Sequence, residues 1–185
     1  MKSTSNAQHP SSSQSAAAKR RHPNIANVDE IPATEATKGT RYALERRSLA
    51  REAGGRDLGC TWYRVPAGKT AVPHHYHCLT EEAIFILEGE GTLRLGDDQL
   101  PVRSGDWISL RTGPAHPHQL LNTSSQPLTY LCVSTQVSAD VVGYPDSKKI
   151  AALASSSPSY DSSRWVRGIF REASGVDYFD GENTD

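Results

Sequence analysis

From Leu58 onwards the chain is punctuated so regularly that few folds can accommodate it. Cys60–Val65 is β-branched and aromatic. It is followed by short apolar runs at Ala83–Leu87, Thr92–Leu95, Leu100–Val102, Trp107–Leu110, Gln119–Leu121 and Leu128–Ser134. Between them lie turn-forming groups: Pro66-Ala-Gly68, Glu88-Gly-Glu-Gly91, Gly96-Asp-Asp98, Ser104-Gly-Asp106, Thr112-Gly-Pro114 and Asn122-Thr-Ser-Ser125. Glycine, proline, asparagine and aspartate each break regular structure for a definite backbone reason. Short runs bounded in this way predict an all-β sandwich or barrel. No helical period lies between consecutive runs, which argues against a parallel βαβ architecture.

The flanks are read by composition. Residues 1–24 are rich in Ser, Ala, Gln and Lys and poor in large apolar residues, which predicts a disordered tail. Its Lys19-Arg20-Arg21-His22 run is the one basic cluster in a chain of formal charge −1. Neither a nucleic-acid partner nor an anionic membrane is expected from that charge. No apolar run approaches the ~20 residues of a membrane span, and the first residues lack the apolar stretch of a secretory signal. Pro23–Thr40 reads as a connector, and Arg41–Ala53 as an edge strand. After Val137 the strand signal fades into an irregular extension, including an apolar Arg164–Tyr178 expected to pack on the barrel or on a second subunit. Three widely spaced cysteines, Cys60, Cys78 and Cys132, fit a reducing cytoplasm better than a disulfide framework. Trp62, Tyr63, Phe85 and Trp107 are expected to pack the barrel.

One segment carries chemistry. His74, His75, His77, Glu81 and Glu82 crowd into nine positions ahead of an apolar strand. Buried polar groups cost free energy unless they are paired or metal-bound. In an extended strand, side chains two apart share a face, so His75 and His77 point one way and His74 and Tyr76 the other. Glu82 opens the next strand, and His118 begins a later one that can bring a fourth ligand. Rival assignments exist at each point: His74 for His75, Glu81 for Glu82, His116 for His118, and Cys78 as a thiolate ligand.

Gly68…His75-x-His77-x4-Glu82-x6-Gly89 resembles the first motif of the cupin superfamily, and Gly105-Asp106…His118-x3-Asn122 its second. The spacing to Gly89 favours Glu82, and the spacing to Asn122 favours His118. An extra residue between Gly68 and His75, and Arg111-Thr-Gly-Pro-Ala-His-Pro117 in place of a Pro-x-Gly, depart from the pattern. Pro117–Thr123, the Tyr144-Pro-Asp-Ser147 turn and Asp177–Glu182 also resemble small bacterial single-domain cupins. The resemblance implies a double-stranded β-helix, a jelly-roll-like barrel. On that basis residues 1–24 form the tail, 25–136 the barrel with its connector, and 137–185 the C-terminal extension. It also implies a metal held by His75, His77, Glu82 and His118.

Three imidazoles and a carboxylate suit a divalent transition ion (Mn, Fe, Ni, Co or Zn) better than calcium or magnesium, which prefer oxygen shells. An octahedral ion with four protein ligands keeps two positions for a substrate that chelates through two oxygens. The expected function is therefore an enzyme that isomerises, eliminates from or moves a proton on a small oxygenated metabolite, such as a sugar, keto acid or hydroxy acid. Tyr63, Glu81 and His116 are its candidate acid–base residues. An Fe(II)-dependent dioxygenase and a non-catalytic binding or sensing protein are the alternatives. For the last, residues 1–40 lack the apolar periodicity of a helix-turn-helix. A homodimer through a shared β edge is expected.

Overall fold

In the computed structural model, residues 22–156 and 166–183 are described. The strands are β1 (Thr34–Lys38), β2 (Tyr42–Ser48), β3 (Leu58–Val65), β4 (Tyr76–His77), β5 (Glu82–Glu88), β6 (Glu90–Leu95), β7 (Asp98–Arg103), β8 (Trp107–Leu110), β9 (His118–Leu121), β10 (Leu128–Thr135), β11 (Ala139–Tyr144), β12 (Lys149–Ala154) and β13 (Val166–Arg171). They form antiparallel sheets ordered β1-β2-β3-β10-β5-β8, β13-β12-β11-β4 and β7-β6-β9. The all-β expectation and the double-stranded β-helix it implied hold. Among the described residues, no helix is long and apolar enough to cross a membrane.

Strand parity divides each strand between the barrel interior and its outside. On β5, Ile84 and Ile86 are buried and point inward, so Glu82, two positions earlier, points inward as well. On β9, Leu120 carries His118 inward by the same rule, and on β10 Leu128 and Tyr130 carry Cys132. Val65, Ile84, Ile86, Leu93, Ile108, Leu110 and Leu128 belong to the buried core of the barrel. Parity also corrects one packing expectation: with Ile108 and Leu110 inward, Trp107 points outward and is 59% exposed.

Glycine-ended turns position the ligand strands. Gly89, between β5 and β6, has φ +85°, and a Cβ there would stand 2.6 Å from the Pro127 carbonyl oxygen. Gly89→Ala is therefore expected to destabilise the fold by roughly 2 kcal/mol or more, read from the midpoint of denaturant unfolding. The Asn122 amide, buried in the next layer, donates to the carbonyls of Val65 (2.9 Å) and Gln126 (2.7 Å). Its part is to fix the β9–β10 connection and not to reach the site.

Two expectations about the flanks are corrected. Arg41–Ala53 is not an edge strand. Its β2 portion lies between β3 and β1, and Leu49–Glu52 forms one short helix, α1. The edge belongs to β1, whose polar sequence TEATK is exposed along its length and carries no apolar signal. The C-terminal extension is not irregular either. β11, β12 and β13 form a sheet that ends on β4, with Val142 opposite His77 and Gly143 opposite Tyr76. Alternation is weak there because neighbours on both sides bury Gly143 and Ala151 alike. Residues 1–21 of the expected tail lie outside the described residues, as does Trp165.

Candidate metal centre

Parity brings the polar interior residues to one spot. The Nε2 atoms of His118, His77 and His75 lie 3.3, 3.7 and 4.0 Å from Glu82 Oε2. The donor atoms of His75, His77 and Glu82 all lie within 4.8 Å of one another, and His118 joins them through its contact with Glu82. The opposite nitrogen of each ring is held. His75 Nδ1 donates to the Pro73 carbonyl at 2.9 Å, His118 Nδ1 to that of His116 at 3.2 Å, and His77 Nδ1 to Asp140 Oδ2 at 2.7 Å. With Nδ1–H committed in this way, each Nε2 has a free lone pair when its ring is neutral, and a protonated ring donates from Nε2 to Glu82 instead. Metal-binding histidines are typically oriented in this manner. The donor set and its orientation fit a divalent transition ion.

Charge in the cluster follows from its surroundings. Burial first, then positive charge on His118, pushes His75 down to about 4, with Glu82 pulling partly the other way. Burial opposes charge on His77 too, but the Asp140 hydrogen bond and the Glu82 charge outweigh it and raise its pKa. Burial works against the Glu82 carboxylate, yet the His118 hydrogen bond and the neighbouring imidazoles hold it below its ordinary value. Burial likewise opposes ionised Asp140, but its bonds to His77, Thr80 and the Leu79 N–H bring it to about 2.

His75 therefore gives the metal-free protein a pH dependence. A histidine whose folded pKa is about 4 stabilises the fold fully above its unfolded value of 6.5, and that stability is lost as pH falls towards 4. At about 1.4 kcal/mol per pH unit, the loss is about 3 kcal/mol. His77, with its pKa raised, adds stability as pH falls through its folded value towards 6.5 and makes a constant contribution below that. Denaturant unfolding of chelator-treated protein between pH 7 and 4 measures it, and a flat profile would show that His75 is not held neutral.

The metal centre opens onto a pocket of about 190 Å³ whose wall includes Tyr63, His75, Glu82, His118, Tyr130 and Cys132. Tyr63 stacks on Tyr130 with ring centroids 5.2 Å apart. Burial raises both phenol pKa values, so both hydroxyls stay protonated donors. Of the three acid–base candidates, only Tyr63 lies on this wall. Glu81 is exposed on the opposite parity, and His116 contributes its backbone carbonyl to His118. The cysteine at the site is Cys132, whose thiol donates to Glu82 Oε1 at 3.6 Å. Cys78 instead anchors its backbone N–H on Asp140 and Val141. His74, the rival to His75, is 3% exposed and faces Asp146 on the other side of its strand.

Asp140 escaped sequence reasoning. It stands 63 residues beyond His77, on a strand without clear alternation, and no local spacing connects the two.

Residues 61–134 match the cupin domain family. That part of the barrel is a cupin domain. Over 70 residues the chain is 37% identical to an uncharacterised protein of Methanocaldococcus jannaschii, covering 38% of this chain and 54% of that protein. The chain thus spans about half the length of the curated relative it matches. Among solved structures, it is similar to a candidate sugar phosphate isomerase from Acidithiobacillus ferrooxidans: TM-score 0.69, 22% identity, 84% of this chain and 96% of that one. It is equally similar to a sugar phosphate isomerase of the cupin superfamily from Silicibacter pomeroyi: TM-score 0.69, 20% identity, 84% and 98% coverage. At these identities the likeness shows the fold, and it extends well beyond the cupin motifs.

Proposed function

We propose that this cupin is a metal-dependent enzyme that moves a proton between adjacent carbons of a small hydroxy-carbonyl compound, with sugar phosphates as the first substrate class to test. The observation that carries the reading is the set of imidazole Nε2 atoms arrayed around Glu82 Oε2 at the end of a small pocket. His75, His77, His118 and Glu82 would hold the ion. When bound, a divalent transition metal there supplies Lewis-acid polarisation of substrate oxygens.

The chain's own residues supply the rest. A pocket of about 190 Å³ is below the ~300–1,000 Å³ of drug-sized sites, so it selects small metabolites. Its wall of Val72, Ile84, Leu110 and Leu120 limits the water that can enter with the substrate. Tyr63, kept protonated by burial, holds its proton on the phenol oxygen and donates a hydrogen bond to a substrate oxygen. In such an isomerisation one proton leaves the hydroxyl-bearing carbon, one is added to the former carbonyl carbon, and the hydroxyl proton passes to the former carbonyl oxygen, so no outside oxidant is needed. The fold shared with two proteins named as sugar phosphate isomerases supports this choice of substrate class.

The test is solvent deuterium wash-in. Protein loaded with Mn, Fe, Co, Ni or Zn is incubated in D₂O with aldose and ketose phosphates, and exchange at the carbon next to the carbonyl is followed by NMR. Exchange that requires metal and falls at least about tenfold in Tyr63→Phe is the expected result. No exchange with any of the five ions would exclude the reading. Oxygen uptake with Fe(II) would transfer the site to the dioxygenase alternative.

A further inference from the structure

A larger cavity lies on the other side of the His75 strand. It has a volume of about 490 Å³ and shares no wall residue with the metal pocket. The ends of β1 and β2, the Ala71–His74 approach to β4, and the Pro145–Ser147 turn before β12 enclose it. Its size falls within the ~300–1,000 Å³ typical of small-molecule sites. Leu44, Ala71 and Pro73 provide an apolar part of the wall.

The charges on this wall do not cancel. Lys38, Arg41 and Lys149 face one carboxylate, Asp146. That carboxylate is already engaged by Arg94, which lies outside the wall and binds it in bidentate fashion at 2.7 and 3.1 Å. Among the described residues, none of the three wall cations has a carboxylate of its own. Arg41 reaches the neutral Gln119 amide oxygen at 3.5 Å and lies 5.8 Å over the Tyr42 ring, and Lys149 lies 5.2 Å over the Tyr144 ring. A chain of formal charge −1 thus concentrates positive charge at one apolar-backed cavity.

His74 adds an independent sign of a ligand. Its Nδ1 is turned to Asp146 at 3.4 Å, and its Nε2 is the one buried side-chain nitrogen or oxygen without a hydrogen-bond partner among the described residues. Native structures rarely leave such an atom unsatisfied, and each instance calls for a missing partner or a function. His74 is part of the cavity wall.

We propose that this cavity is a second ligand site, distinct from the metal centre, that binds a small organic phosphate. Arg41, Lys38 and Lys149 bind the dianion, and the apolar wall takes the carbon body. Several uncompensated cations suit a dianion better than a single carboxylate, and Arg in particular matches phosphate geometry. The proposal does not depend on the reaction assigned to the metal centre.

Phenyl phosphate serves as the probe, with inorganic phosphate and benzoate as comparators, in calorimetric titrations of the full chain at low ionic strength. One phenyl phosphate is expected per chain, bound more tightly than either comparator, with affinity unchanged after chelation. The Arg41→Gln/Lys149→Gln pair is expected to weaken it about tenfold or more. Ala36→Trp, which fills the cavity without changing charge, is expected to weaken phenyl phosphate and spare inorganic phosphate. Absence of saturable binding, binding that survives both sets of substitutions, or binding that vanishes on chelation would each overturn the proposal.

Discussion

Alanine at His77 or at His118 is expected to lower metal affinity by more than about 100-fold, beyond the 10–100-fold typical of losing a supporting residue. Each substitution removes one of the lone pairs gathered around Glu82 Oε2, at 3.7 and 3.3 Å respectively. The remaining carboxylate keeps its charge but loses a partner that helps hold it ionised. His74→Ala and His116→Ala are expected to leave metal binding within about threefold of the parent, the ordinary context-dependence of a distant change. His74 points to the opposite side, and His116 contributes only its carbonyl to His118. Elemental analysis of protein purified without chelator, followed by competition with a chromophoric chelator, reads all four variants on one scale. Unchanged metal content in His77→Ala or His118→Ala would show that the ligand set is wrong. Loss in His74→Ala would move the site across the strand.

Asp140→Ala combines a binding defect with a folding defect. The Asp140 carboxylate accepts from His77 Nδ1 at 2.7 Å and from the backbone N–H groups of Cys78 and Leu79 at 3.1 and 2.9 Å. Truncation leaves these donors without their charged acceptor and is expected to cost roughly 3 kcal/mol in denaturant unfolding. It also frees the His77 ring to rotate and to place its proton on Nε2, which would lower metal affinity by about 10–100-fold. Asp140→Asn separates the two effects. It keeps the shape and one acceptor oxygen for the backbone, so most of the stability should return. The neutral amide cannot support His77 as strongly, so the metal defect should persist. If Asp140→Asn restored metal affinity along with stability, Asp140 would be a structural anchor only.

The strand boundaries illustrate how far local pattern carries. Trp107–Leu110 was legible to the residue, β9 and β10 extend their predicted runs by a single position at one end, and β5 extends by one position at each end. Turn chemistry and β-branched composition act over a few residues, and these strands answer to both. Glu82 over Glu81 followed from the spacing to Gly89 shared with the cupin motif, and the buried Ile84 and Ile86 give β5 the parity that agrees with it. β1 was not, since TEATK has the composition of a loop and becomes a strand only by pairing with β2. Trp107 shows the limit of reading hydrophobicity alone: its size suggested packing, and the parity of Ile108 and Leu110 turned it outward.

The sequence by itself determined the strands and turns of the barrel, because side-chain alternation and turn preference are local properties of an extended chain, and its likeness to the cupin motifs pointed to the residues that meet inside it. Only the tertiary structure decided what holds those residues in place. β11 pairs with the two-residue strand that carries His77, and this pairing delivers Asp140 to its ring. The same packing closes a second, cationic cavity around His74 from β1, β2 and the turn before β12. Such contacts join positions tens of residues apart through backbone hydrogen bonds, and those bonds are blind to side-chain identity. They leave no spacing in the sequence to read.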